Sequence, residues 1–85
     1  MGMETTLILY TRPGCPFSAK VLLEAAILGV RLDERSIKNP EAHKELMARG
    51  GKEQTPFLID EANAVSMYES DAIMDYLHAR FGSDG

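Results

Sequence analysis

The chain has a single cysteine, and the residues around it favour a reactive thiolate. Cys15 follows the turn dipeptide Pro13-Gly14 and precedes Pro16, a residue suited to the first turn of a helix. At a helix start, several unpaired backbone N–H groups and the positive end of the helix dipole point toward the sulfur. Because these groups stabilise negative charge, we expect the Cys15 thiol to ionise readily and to act as a nucleophile.

An inert, buried thiol is the alternative interpretation of this cysteine, since free cysteine often packs as a small hydrophobic residue. A position between Gly14 and Pro16 is poorly suited to core packing, which favours the reactive interpretation. The two histidines, His43 and His78, lie on predicted helices among polar neighbours, and we expect both to be solvated. With one cysteine available there is no metal-ligand spacing, so no metal site is predicted.

The elements that position Cys15 follow from hydrophobic spacing and turn residues. The first half of the chain predicts two strands, each followed by a helix: strand Thr6–Tyr10, a helix from Pro16 to Gly29, strand Val30–Ile37, and a helix capped by Asn39 and stopped by Gly50-Gly51. The second helix is expected to bury the apolar stripe Ala42, Leu46 and Met47.

The second half of the chain predicts a hairpin and a last helix. Its strands are Gln54–Asp60 and Val65–Tyr68, and Asn63 is the turn residue expected at positive φ. Ser70 is expected to cap a helix with an apolar stripe of Ile73, Tyr76, Leu77 and Phe81, and residues 82–85 are expected to be a disordered tail. The fold class is therefore α/β: a thioredoxin-like βαβαββα chain with a four-stranded mixed sheet and helices on both faces.

Composition and charge limit the class of protein. Eighty-five residues with 45% hydrophobic and 26% charged content predict one small globular domain over residues 1–85. The net charge of −4 disfavours nucleic acid as a partner, and the longest apolar stretch is too short to span a membrane. A lone cysteine cannot form an internal disulfide and no signal-like segment precedes the first strand, so a cytoplasmic protein is expected.

Three motifs together resemble a known family. In chain order they are Tyr10-Thr11-Arg12-Pro13-Gly14-Cys15-Pro16-Phe17-Ser18, Thr55-Pro56 and Glu69-Ser70-Asp71-Ala72-Ile73. They resemble the glutaredoxins, and more closely the bacterial glutaredoxins that are similar to the amino-terminal domain of glutathione S-transferases. The resemblance covers nearly the whole chain and has two departures. Ser18 replaces the second cysteine of dithiol glutaredoxins, and the transferases' helical second domain has no counterpart in this sequence.

The resemblance implies roles for the residues around the cysteine. Cys15 would be the nucleophile, Phe17 one wall of a glutathione groove, and Arg12 a cation near both the thiolate and the glycine carboxylate of glutathione. Each has a structural alternative: Phe17 could be core and Arg12 a solvated loop charge. Ser18 could hydrogen-bond the thiolate or simply be a polar residue of the first helical turn.

The other two motifs supply the rest of the implied site. Thr55, before an implied cis-proline at Pro56, would pair its backbone with the cysteinyl unit of glutathione as an added strand does. Ser70 and Asp71, with Glu69 before them in the same motif, would hold the γ-glutamyl end through hydroxyl and backbone N–H groups. Additional binding contacts are expected from Gln54 or Lys52.

The function that the resemblance implies is a monothiol, glutathione-dependent oxidoreductase that removes glutathione from mixed disulfides through Cys15. Glutathione is then the co-substrate, glutathionylated proteins or small disulfides are the partners, and a monomer is expected. One alternative is a [2Fe–2S] carrier bridged by two chains and two glutathiones, which Pro16 disfavours because the cluster-carrying members typically have glycine there. Another is a glutathione-binding module without catalysis.

Overall fold

The computed structural model describes residues 7–82, and the order of elements there is the predicted one. The elements are β1 Leu7–Thr11, α1 Pro16–Leu28, β2 Leu32–Ser36, α2 Pro40–Gly50, β3 Phe57–Asp60, β4 Val65–Tyr68 and α3 Ser70–Phe81, with a short 3-10 turn Glu61–Asn63 before β4. Thr6, predicted to begin β1, and residues 83–85 of the predicted tail lie outside the described residues. That residues 1–85 form a single domain stays a prediction.

The four strands form one mixed sheet in the order β2-β1-β3-β4. β1 pairs in parallel with β2, where Leu7 lies opposite Leu32, and antiparallel with β3, where Leu9 lies opposite Leu58. β3 and β4 pair antiparallel as the expected hairpin. The two inner strands have both faces and both edges covered, which explains why they are continuous apolar runs rather than alternating ones.

Alternate residues of the inner strands build two cores on opposite faces of the sheet. Leu7, Leu9 and Leu58 pack with residues of α1 and α3 on one face. Tyr10 and Phe57 pack with residues of α2 on the other face. Helices therefore cover both faces, and the predicted fold class is confirmed.

The ends of the first two helices are those that the sequence predicts. Gly29, at φ 73°, ends α1 in the left-handed conformation, and Gly51, at φ 82°, ends α2 in the same way. Asn39 caps α2, because its side chain accepts a hydrogen bond of 2.8 Å from the backbone N–H of Glu41. These stops fix where the two helices begin and end relative to the sheet.

Three local predictions are wrong. Ala64, at φ 55°, and not Asn63, takes the left-handed position of the hairpin, because a 3-10 turn occupies the preceding residues and Asn63 uses its side chain to donate to Asp60. Met47 is 38% exposed, since the buried side of α2 is defined by Ala42 and Leu46.

The third wrong prediction concerns the start of α3. Ser70 is its first helical residue, and Glu69, at φ 75°, is the N-cap and makes no side-chain cap hydrogen bond. The positive φ of Glu69 turns the chain sharply after β4, so that Ser70 is already helical.

Two strands are shorter than predicted. β2 begins at Leu32, not Val30, and β3 begins at Phe57, not Gln54. Pro56 has no N–H to donate to a strand pair, so Gln54 and Thr55 before it form a loop beside the sheet. Among the helices of residues 7–82, none combines the length and the apolar character needed to cross a membrane.

Candidate active site

Cys15 lies at the N-cap of α1, in the loop that follows β1. Gly14 takes φ 83°, a conformation that glycine adopts without steric cost. The turn is closed by a hydrogen bond of 3.0 Å from the backbone N–H of Cys15 to the carbonyl oxygen of Arg12. The half-buried sulfur is thereby held at a helix start, as the sequence predicts.

The Cys15 sulfur is contacted by Thr55, which precedes β3. The Thr55 hydroxyl donates to Cys15 Sγ at 3.5 Å, and the thiol donates to the Thr55 carbonyl oxygen at 4.0 Å. Burial by itself would raise the pKa of the Cys15 thiol. Hydrogen bonds from the Ser18 and Thr55 hydroxyls and from the backbone N–H groups of Ser18 and Phe17 outweigh burial and lower the pKa to about 7. A large fraction of Cys15 is therefore thiolate at neutral pH.

Ser18 has a particular relation to the sulfur. The Ser18 hydroxyl oxygen is buried, and within residues 7–82 it has no partner at full hydrogen-bond geometry. Its interaction with Cys15 is nevertheless the largest of the influences that lower the Cys15 pKa. A hydroxyl proton rotates freely, so the Ser18 hydroxyl can turn toward the sulfur and donate to it once the thiol ionises. At 2% exposure, the Ser18 side chain faces the protein interior and not the solvent.

We expect the rate of Cys15 alkylation to rise with pH through a midpoint near 7 and to level off above it, because only the thiolate reacts. Ser18→Ala should move this midpoint upward, toward the value of about 8.5 for a free cysteine. Iodoacetamide labelling followed by mass spectrometry measures both curves. Ser66→Ala, at an exposed position on β4, is the control and should not move the midpoint. An unchanged midpoint in Ser18→Ala would remove Ser18 from the thiolate's environment.

A cavity of about 370 Å³ lies beside the cysteine, between α1, the loop before β3 and the start of α3. We call it the groove. It is lined by Lys20 and by every predicted binding residue except Arg12 and Lys52; the lining residues are Phe17, Lys20, Gln54, Thr55, Pro56, Glu69, Ser70 and Asp71. Thr55 is shared, since it lines the groove and contacts the Cys15 sulfur.

The walls of the groove differ in chemical character. Phe17 is 54% exposed, which excludes the core alternative and leaves its ring available as a wall. The Thr55–Pro56 peptide bond is cis, as the resemblance implies. Ser70 is buried at the start of α3, whereas the Asp71 side chain is 88% exposed. The groove thus has an aromatic side and a polar end at a helix N-terminus.

Arg12 lies on the other side of the cysteine. With Cys15 and Ser18 it lines a second cavity of about 230 Å³. Its guanidinium is 3.3 Å from Glu53, and the same carboxylate lies 3.4 Å from His43. Arg12 is thus an exposed loop charge with a carboxylate partner, an ion pair of a kind that contributes little to stability. The side chains of His43 and His78 are 40% and 54% exposed, so both are solvated as expected, and each lies beside a carboxylate, that of Glu53 for His43 and that of Glu24 for His78.

Sequence reasoning missed Lys20. It follows Phe17 by three positions on α1, so both side chains lie on one face of the helix, and this spacing was the available signal. Lys52, which the sequence analysis offers beside Gln54 as an additional binding contact, does not line the groove. Its ammonium lies 4.9 Å from the centre of the Tyr68 ring. Within residues 7–82, no group of three or more His, Cys, Asp or Glu side chains is arranged to hold a metal ion.

Comparison with known proteins identifies a family that matches most of the chain. A family model described as "Glutathione S-transferase, N-terminal domain" matches residues 9–85. No curated protein sequence matches the chain at a significant level.

Several solved structures have the same fold. A glutathione transferase homologue from Drosophila mojavensis, solved with bound glutathione, is 28% identical, with a TM-score of 0.80 over 95% of this chain and 37% of that one. A delta-class glutathione transferase from Nilaparvata lugens is 33% identical, with a TM-score of 0.75 over 92% of this chain and 37% of that one. A glutathione S-transferase from the Antarctic clam Laternula elliptica is 29% identical, with a TM-score of 0.76 over 91% and 36%. The chain spans little more than a third of the length of these relatives.

Proposed function

The chain belongs to the family of glutathione S-transferase amino-terminal domains, and from that premise we propose that it is a glutathione-dependent monothiol oxidoreductase that reduces glutathione mixed disulfides through Cys15. The proposed activity is of the glutaredoxin type. Its substrates are glutathionylated proteins or small disulfides, and glutathione is the reductant.

One observation carries the proposal: a cysteine with a pKa of about 7 lies next to a groove with which it shares Thr55. Thiol–disulfide exchange needs a thiolate, and its rate is greatest when the pKa of the attacking thiol is near the ambient pH. A cysteine buried only for packing would have its pKa raised. The environment of Cys15 favours redox chemistry with a ligand held in the groove.

The proposed reaction has two exchange steps. The Cys15 thiolate attacks the glutathione sulfur of a mixed disulfide; the disulfide bond breaks, the substrate leaves as a thiolate and takes a proton, and Cys15 becomes glutathionylated. The thiolate of a second glutathione then attacks the glutathione sulfur on Cys15, which releases the Cys15 thiolate and glutathione disulfide. The net reaction consumes one free glutathione: the mixed disulfide and glutathione become the substrate thiol and glutathione disulfide, so one disulfide bond breaks and one forms.

The groove suits a bound glutathionyl unit. Thr55 presents backbone groups next to the Cys15 sulfur, where the cysteinyl unit must lie for exchange, and Phe17 covers one side. Ser70 and the backbone N–H groups at the start of α3 suit the γ-glutamyl carboxylate. Arg12 could bind the glycine carboxylate after leaving Glu53, an exchange that an exposed ion pair permits.

Ser18 limits the chemistry to the monothiol route. With serine at this position, Cys15 has no second cysteine in the chain with which to form an internal disulfide. The glutathionylated intermediate must therefore be resolved by an external thiol. The expected products are a substrate thiol and glutathione disulfide in equal amounts.

The proposal is tested by measuring turnover of a small glutathione mixed disulfide and by mass spectrometry of the protein after treatment with glutathione disulfide. Wild type should turn over and should gain one glutathionyl group, on Cys15. Glutathione binding without turnover would overturn the enzymatic proposal and support a binding module instead.

Glutathione recognition can be tested at Ser70. Removing its hydroxyl in Ser70→Ala deletes a hydrogen bond to a charged carboxylate, worth about 1.5–3 kcal/mol, so glutathione affinity should fall about tenfold or more. The melting temperature should change little, because Glu69 and not Ser70 holds the N-cap position of α3. Isothermal titration of folded protein measures the affinity. Equal affinity in wild type and Ser70→Ala would exclude Ser70 from the site.

A further inference from the structure

Lys20 is the only cation among the described residues that line the groove. It lies on α1 one helical turn after Phe17, so one helix face supplies both the aromatic wall and the positive charge. Its ammonium is 3.9 Å from the carboxylate of Asp71, which belongs to the first turn of α3. One end of the groove is therefore bordered by a cation from α1 and an anion from α3.

The Lys20–Asp71 ion pair is weak and can separate easily. Its separation is at the long end of the range for ion pairs, and its two side chains are 51% and 88% exposed. Water screens such a pair strongly, so separating the charges costs little free energy. The long, flexible side chain of Lys20 can follow a competing carboxylate, while Asp71 stays at the helix start.

The γ-glutamyl unit of glutathione matches this pair in charge. Its α-carboxylate and α-ammonium sit on the same carbon, so it presents a negative and a positive group side by side. An ordinary peptide bond through the α-carboxylate would remove that arrangement. A groove end with one mobile cation and one anion can therefore distinguish a γ-linked glutamate from other amino-terminal groups.

We propose that Lys20 determines the specificity of the groove for γ-glutamyl thiols: it leaves Asp71 to bind the α-carboxylate beside the Ser70 hydroxyl, and Asp71 accepts hydrogen bonds from the α-ammonium. This inference rests on the proposed function and extends it. In this proposal Lys20 binds the end group of the ligand and takes no part in the exchange at sulfur.

The test compares three ligands that differ at the end group. Glutathione and γ-glutamylcysteine carry the γ-glutamyl unit, and cysteinylglycine lacks it. Affinities are measured by NMR chemical-shift titration, which reaches the millimolar range, for wild type, Lys20→Gln and Lys20→Arg. Lys44→Gln is the matched control, because it removes the same charge from an exposed position on α2 outside the groove lining.

Lys20→Gln should weaken the binding of glutathione and γ-glutamylcysteine by about fivefold, the scale of a half-exposed ion pair, and leave cysteinylglycine unchanged. Lys20→Arg should keep most of the affinity, and Lys44→Gln should keep all of it. An equal loss for all three ligands, no loss for any, or the same loss in Lys20→Arg would overturn the role of Lys20. Failure of wild type to bind glutathione would instead overturn the proposed function, and the inference with it.

Discussion

Replacing Cys15 by serine should abolish reduction of a glutathione mixed disulfide, with a loss of about a thousandfold or more, the scale expected when a covalent nucleophile is removed. A serine hydroxyl does not ionise near neutral pH, and the chain has no other thiol. The fold should be retained, because Cys15 is a half-buried N-cap whose side chain makes no cap hydrogen bond. Steady-state turnover measures the loss, and circular dichroism checks the fold.

A matched control separates the thiolate from sulfur in general. Met47→Leu removes an exposed thioether from α2 and should leave turnover unchanged. Mass spectrometry after exposure to glutathione disulfide should show the glutathionyl group on wild type and Met47→Leu, and none on Cys15→Ser. Substantial turnover by Cys15→Ser would contradict the assignment of the nucleophile.

A second large effect is expected in the core. Leu58 is fully buried in the centre of β3 and packs against α1 and α3. Leu58→Ala removes this packing and leaves a cavity, which should lower the free energy of unfolding by about 2–5 kcal/mol. In a small domain this is a large part of a total stability of roughly 5–15 kcal/mol.

A leucine-to-alanine substitution on the surface is the control for Leu58→Ala. Leu23, on α1, is 64% exposed, so Leu23→Ala should change the free energy of unfolding by less than about 0.5 kcal/mol. Urea denaturation followed by circular dichroism measures both variants. Similar losses in the two variants would contradict the assignment of Leu58 to the core.

The sequence was sufficient to predict the fold because its signals agree with one another. The inner strands β1 and β3 are short apolar runs, and each is bounded by proline or glycine. Asn39 and Gly51 bracket α2 by the usual capping chemistry, and the structure has both. Such features depend on nearest neighbours in the chain, which is why they can be read without coordinates.

The features that were not predicted depend on contacts between distant segments. The left-handed backbone of Glu69 has no local sequence signal, since glutamate rarely adopts it, and serine at the next position is itself a good cap. The pairing of Arg12 with Glu53 joins residues 41 positions apart in the sequence. Lys20 acquires its place in the groove only when α1 and α3 are packed side by side.

The strand order β2-β1-β3-β4 also bears on association between copies of this chain. Its edge strands are β2 and β4, and the open edge of a sheet is a template for pairing with another sheet. β2 carries Asp33, Glu34 and Arg35 in succession. Pairing of another strand with β2 would therefore partly desolvate these charged side chains, which costs free energy. β4 is only four residues long and lies between Ala64 and Glu69, whose positive φ values bend the backbone out of line at each end. Over the described residues, both edges are therefore protected against the growth of aggregates by strand addition.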